Sequence, residues 1–288
     1  MTKRLLKMGL LGLGAGASFI VGNKFRRYGH VSIDASDPIV PIVPSDKMIP
    51  TLFIHGYGGN RLSFGPMISR FERDGYGRKD MVIIVDIDGS LHVEGQLRSA
   101  QPFIQILFKN DIASVEKQSA WLYHIMQFLF GAYGIKQVDF VGHSMGGVSI
   151  LRYLTECRDA LDAPVVAHAI SIGAPYNDHN VAQTTPKIED LLLTDAGPIE
   201  TTPLYRYFEK TMRHLPKNLQ FLNIAGDLKD GNDGAVSVNS ALSLRYLVQN
   251  QLNYHELIVS GRKAAHRLLH ENQRVDDSIY TFLWKKHK

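Results

Sequence analysis

The chain has 288 residues, 44% of them apolar, which is enough to bury one large core and points to a single main domain. Its formal net charge of +4 is small for that length, and no basic run is interleaved with aromatics, so nucleic acid gains no support as a partner. The single cysteine, Cys157, excludes an internal disulfide and a thiolate zinc cluster, and it fits either a cytosolic protein or a disulfide-free secreted one.

At the amino end, Lys3, Arg4 and Lys7 precede an uncharged Gly/Leu/Ala stretch from Met8 to Gly22, and Lys24, Arg26 and Arg27 follow it. This is the order of a secretory signal, so residues 1–27 are expected to form a signal peptide or a membrane anchor. The apolar stretch is shorter than the roughly 20 residues that span a bilayer as a helix. Cleavage after the small residues Ala15-Gly16-Ala17 therefore competes with a short uncleaved anchor, through which the chain would meet the membrane. Either outcome puts the remainder outside the cytoplasm, secreted or held at the cell surface.

Prolines 38, 41, 44 and 50, among Ser and Asp, mark residues 28–49 as an extended linker and 50–288 as the folded domain. Short apolar runs then alternate with amphipathic stretches. The runs are Thr51–His55, Met81–Asp86, Gln137–Gly142, Val165–Ile172, Leu219–Ala225 and Tyr254–Val259, each of strand length and without polar alternation. Such runs suit strands buried on both faces of a parallel sheet. A helix is expected over Asp111–Phe130, where Ile112, Val115, Leu122, Ile125, Met126 and Leu129 share a stripe, and another at the end through Val275, Ile279, Phe282 and Leu283. The predicted class is α/β, a doubly wound, mostly parallel open sheet whose ligand crevice lies beyond the carboxyl ends of its strands. From Tyr176 to Pro216 roughly forty residues separate two strands, more than a crossover needs. A helical cap insertion is expected over about 176–216, with helices at Ile188–Leu193 and Leu204–Leu215.

The strongest chemical signal is Gly142-His143-Ser144-Met145-Gly146, a G-x-S-x-G lying directly between a strand and the helical pattern Val148, Leu151, Leu154. In a nucleophile elbow the serine sits on a strained strand-to-helix turn, and side chains at the flanking glycines would strike neighbouring backbone. The helix behind it favours developing negative charge at Ser144. A second element, His55-Gly56-Tyr57-Gly58-Gly59, ends the first strand and suits an oxyanion hole formed by the amides of Tyr57 and Met145. Serine needs a base, and in the order Ser, Asp, His the base follows the last strand, leaving His266 and His270, of which His266 is preferred. The orienting acid should follow Leu219–Ala225, where Asp227, Asp230 and Asp233 compete. Asp233 is chosen because the following Gly-x-Val can end the loop with valine packed inward and the carboxylate aimed at the histidine. A turn or a hard-cation site is the rival use of these carboxylates, but their spacing is not that of an EF-hand.

His-Gly at 55–56, Gly-His-Ser-Met-Gly-Gly at 142–147, Asp233-Gly-Ala-Val and His266 resemble, in order, the α/β-hydrolases, over roughly residues 50–284. More narrowly, the chain looks like bacterial cell-surface hydrolases of uncharacterised substrate, in which a His-Gly-Tyr-Gly-Gly loop and a His-x-x-Leu-His-Glu-Asn stretch recur, here residues 55–59 and 266–272. That likeness assigns the base to His266. Two positions depart: Ser237 stands where many hydrolases have proline, and Gln273 where proline often opens the last helix. The expected activity is cleavage of a small-molecule or lipid-like acyl ester through Ser144, His266 and Asp233 and an acyl-enzyme, with no metal or organic cofactor. Thioesterase, amidase or acyltransferase chemistry would use the same residues, and a non-catalytic surface-binding module on this scaffold is the alternative from another class.

Overall fold

The computed structural model describes residues 47–157, 160–181, 188–248 and 253–285. The predicted leader and the linker up to residue 46 lie outside the described residues. In chain order the elements are β1 (Thr51–Ile54), α1 (Arg61–Arg73), β2 (Arg78–Val85), β3 (Leu91–Gly95), β4 (Pro102–Phe108), α2 (Val115–Tyr133), β5 (Gln137–His143) and α3 (Met145–Glu156). There follow β6 (Val165–Ile172), β7 (Leu193–Thr194), β8 (Gly197–Pro198), α4 (Pro203–Thr211), β9 (Gln220–Asp227), α5 (Val238–Leu242), α6 (Leu244–Val248), β10 (Asn253–Ser260) and α7 (Gln273–Leu283). Short 3₁₀ turns occupy Met212–His214, Arg262–Ala264 and His266–Glu271.

Eight strands form one sheet in the order β10-β9-β6-β5-β1-β4-β2-β3, parallel throughout except for the β2–β3 pair. The alternating sides of a strand feed two separate cores. Phe53 points toward α1 and α7, joining Phe64, Phe71, Phe103, Ile172, Val275 and Ile279. Leu52 and Ile54 point the other way, toward Leu122, Met126, Val148 and Leu151 of α2 and α3. This is the doubly wound α/β class expected. The chain runs outward from β1 to one side and then from β5 to the other, so the order reverses between β1 and β5 and the loops after these two strands flank the crevice. Among the described residues no helix is long and apolar enough to cross a membrane.

Two strands of the eight-stranded sheet are not among the apolar runs of the sequence. β4 is buried along its whole length, yet Gln105 interrupts its apolar run. That amide is satisfied internally, donating to the Arg61 carbonyl at 2.9 Å and accepting from Lys79 at 2.8 Å. β3 is the antiparallel edge strand and is only half-buried. The helix expected at Leu204–Leu215 is present as α4 and the turn after it, but none forms over Ile188–Leu193. There the polar side chains are bound by neighbours, Glu189 by the amide of His179 at 2.8 Å and Asp190 by Asn239 at 2.9 Å, and the chain enters the β7–β8 hairpin.

Candidate active site

Ser144 follows β5 with φ 54° and ψ −129°, one of two non-glycine residues with positive φ among the described residues. Such a conformation costs about 1–3 kcal/mol and persists only where surroundings impose it. Here the amide of Ser144 donates to the Ile172 carbonyl at 2.8 Å, and the Ser144 carbonyl accepts from Gly147 at 2.9 Å. The glycines of the motif are required by close approach. A Cβ on Gly146 would lie 2.5 Å from the Ile54 carbonyl oxygen, and one on Gly142 would lie 2.7 Å from the Gly147 nitrogen. The turn expected from G-x-S-x-G is therefore present, with Met145 opening α3 directly behind Ser144.

Asp233 and His266 meet although they are 33 residues apart: Nδ1 of His266 lies 2.7 Å from Oδ2 of Asp233. The other carboxylate oxygen accepts the amides of Ala235 at 2.9 Å and Val236 at 2.7 Å. Asp233 is 1% exposed, and its carbonyl accepts the His266 amide at 2.7 Å, so backbone and side chain are both tied to the histidine. Val236 is buried beneath the loop. The pair abuts Gly173, where a Cβ would lie 3.1 Å from Asp233 Oδ2 and 3.2 Å from His266 Nδ1. Gly173 directly follows Ile172, the residue that holds the Ser144 amide. The competing residues go elsewhere. Asp227 accepts the amides of Lys229 at 2.8 Å and Gly231 at 3.0 Å, Asp230 is exposed, and His270 Nδ1 lies 3.4 Å from Glu271. Among the described residues no group of three or more His, Cys, Asp or Glu could hold a metal.

The loop after β1 closes the other side. A Cβ on Gly56 would lie 2.8 Å from Cβ of Ser144 and 3.4 Å from the Met145 nitrogen, so a side chain there would occupy the space in front of that amide. His55 holds the loop from beneath, donating through Nδ1 to the Gly56 carbonyl at 2.7 Å and accepting the Phe108 amide on Nε2 at 3.1 Å. Burial lowers its pKa, which keeps one ring nitrogen free to accept. Gly58 and Gly59 spend their amides on Asp111 and Gly56, while the amide of Tyr57 has no partner among the described residues.

Two contributors had no local signal in the sequence. His143 donates from Nε2 to the His266 carbonyl at 2.9 Å, and the two rings lie 4.6 Å apart. Burial, and then the imidazoles of His266 and His270, push its pKa well below the ordinary value. Arg70 of α1 braces the histidine-bearing segment from outside. It donates to Asp276 at 2.6 and 3.1 Å, to Glu271 at 2.7 Å and to the His270 carbonyl at 2.7 Å. The two departures noted in the sequence are absorbed by capping. Ser237 accepts the Ser240 amide at 3.0 Å at the start of α5, and Asn272 accepts the Arg274 amide at 3.0 Å, leaving Gln273 as the first residue of α7.

The chain matches the family described as alpha/beta hydrolase of unknown function (DUF915) over residues 43–286. It is similar to the crystal structure of a Listeria innocua gene product, 30% identical, with a TM-score of 0.75 over 84% of this chain and 96% of that one. A second similar structure, named a "putative cell surface hydrolase" from Lactobacillus plantarum, is 23% identical, with a TM-score of 0.68 over 84% of this chain and 94% of that one, a likeness of fold. No curated protein matches the chain.

Proposed function

Since the chain belongs to this α/β-hydrolase family, we propose that it is a serine hydrolase that cleaves an acyl ester through Ser144, His266 and Asp233. The observation that carries the reading is the convergence on one strand end. The strained Ser144 hangs from Ile172, and the next residue, Gly173, is the surface against which Asp233 and His266 pair.

In this reading His266 accepts the Ser144 proton on Nε2 as the hydroxyl oxygen attacks the carbonyl carbon. Asp233 holds the proton on Nδ1 and so fixes the tautomer that leaves Nε2 free. The amides of Tyr57 and Met145 stabilise the oxyanion, each such donor contributing about 2.7–4 kcal/mol. The histidine returns its proton to the leaving alcohol. Water, deprotonated by the same ring, then releases the acid from the acyl-enzyme. None of these steps calls for a metal or organic cofactor. The same reading takes residues 1–27 as an export signal or anchor, 28–49 as a linker and the 176–216 segment as the part of the 50–288 domain that shapes the acyl pocket. The name of the Lactobacillus plantarum neighbour supports a cell-surface location.

The test is covalent labelling by a fluorophosphonate probe together with turnover of p-nitrophenyl esters of rising chain length. Labelling should occur in the unmodified chain and vanish in Ser144→Ala. Folded protein that neither labels nor turns over any ester of the series would refute the reading.

A further inference from the structure

Around Ser144 and His266, side chains of two kinds stand out into solvent. Tyr57, on the loop after β1, is 36% exposed, and Ile112, on the loop after β4, is 58% exposed. The two loops are joined by the hydrogen bond from Gly58 to Asp111 at 2.9 Å. On the other side Leu268, two residues beyond His266, is 44% exposed. Gly56 rests on Ser144 and His143 grips His266, so these three apolar residues stand on the segments that are tied to the site from either side.

The second kind is cationic. Arg262, Lys263 and Arg267 all stand exposed on the segment that carries His266 and Leu268, and among the described residues none of the three makes an ion pair. The nearest acid along that segment, Glu271, is bound by Arg70. Of the carboxylates in the adjoining loop, Asp227 is occupied by backbone amides and Asp233 by His266, which leaves Asp230 as the exposed one. Exposed apolar groups with unpaired cations among them match a surface that is apolar beneath a layer of negative charge. An acidic protein partner would leave Tyr57, Ile112 and Leu268 without apolar cover, whereas a bilayer with anionic headgroups takes both kinds of side chain at once.

We propose that this rim docks the crevice face onto an anionic phospholipid surface, so that the acyl ester is drawn from the membrane. The claim about the ester's origin rests on the hydrolase reading; the docking does not. Arg262, Lys263 and Arg267 bind the headgroups, and Leu268, Tyr57 and Ile112 enter the interface below them.

The test uses the full chain with Cys157→Ser and Leu268→Cys, labelled at the new thiol with a solvatochromic dye and mixed with phosphatidylglycerol–phosphatidylcholine vesicles. The dye should shift to the blue, less so as salt rises and not at all on pure phosphatidylcholine. A control label through Leu161→Cys, on the turn leading into the opposite end of β6, should stay in water. Arg262→Gln, Lys263→Gln and Arg267→Gln together should weaken the response at least about tenfold, since each basic residue contributes separately at an anionic surface. The same triple variant should keep its turnover of a soluble short-chain ester. If the label at 268 stays in water, if both labels shift alike because the leader alone holds the chain, or if the triple variant responds unchanged, the proposal is wrong. A blue shift at 268 in a chain that no fluorophosphonate labels would overturn the hydrolase reading and leave the docking standing.

Discussion

Two histidine–aspartate pairs in this molecule share one geometry and differ in everything around them. His266 Nδ1 lies 2.7 Å from Asp233, and His168 Nδ1 lies 2.7 Å from Asp139. Asp233 has its second oxygen bound by two backbone amides, on a loop beyond the end of β9. Asp139 sits within β5, directly opposite His168 on β6, where burial raises its carboxyl pKa and the imidazole only partly offsets it. Beside His266 is the ring of His143, the residue before the strained serine, at 4.6 Å; beside His168 is the ring of Phe282 at 5.6 Å. A histidine–aspartate pair therefore does not by itself mark a reactive centre. What separates the two is position along parallel strands: Asp233 and His266 lie on loops beyond the carboxyl ends of β9 and β10, where a crevice can form, while Asp139 and His168 lie within β5 and β6.

Exchanging the damage between the two pairs is the sharpest way to break this contrast. His266→Ala should cut turnover by about 10⁶-fold in a variant that still folds, the amides of Ala235 and Val236 continuing to hold the buried Asp233 carboxylate, as expected for removing a base that works as a unit with its nucleophile. His168→Ala should do the reverse. It leaves the Asp139 carboxylate buried and unpaired, at a cost of about 3 kcal/mol in urea unfolding, while the folded variant turns over normally. Equal losses of turnover in the two variants would erase the distinction. Asp233→Asn should lower kcat about 10⁴-fold, because the amide favours the wrong tautomer of His266, whereas Asp227→Asn should stay within a few-fold. A crippling effect at Asp227 would move the acid to that residue.

The smallest effect concerns pH. Asp139 has a folded-state pKa above its unfolded value, so its contribution is full below the unfolded pKa and is lost as pH rises through the raised one. Asp139→Asn cannot ionise. The stability of the unmodified chain relative to this variant should therefore fall as pH rises from about 3 toward 7. A relative stability that climbs over that range would mean that attraction to His168 outweighs burial.

Much of this was legible in the sequence because the chemistry is local there. The Gly-His-Ser-Met-Gly turn joins β5 to α3 within a handful of residues, and β6 runs from Val165 to Ile172, the bounds that its largely apolar run implies. β4 was missed because Gln105 sits in its middle and shows its partners only when α1 and β2 are folded beside it. Ile188–Leu193 has the composition of a helix, but Glu189 and Asp190 are claimed by His179 and Asn239 from elsewhere in the chain. His143 lies 123 residues from the carbonyl it grips, and Arg70 is one arginine among several on α1. No periodicity announces contacts of that range.

Arg70 also bears on timing. Its partners at His270, Glu271 and Asp276 come some 200 to 206 positions later. In a chain made from its amino end, the serine turn can form long before the guanidinium has anything to grasp. On the proposed reading the protein is thus born latent: until its last stretch of residues has come home, there is a hydroxyl in a tense posture and no braced imidazole to awaken it.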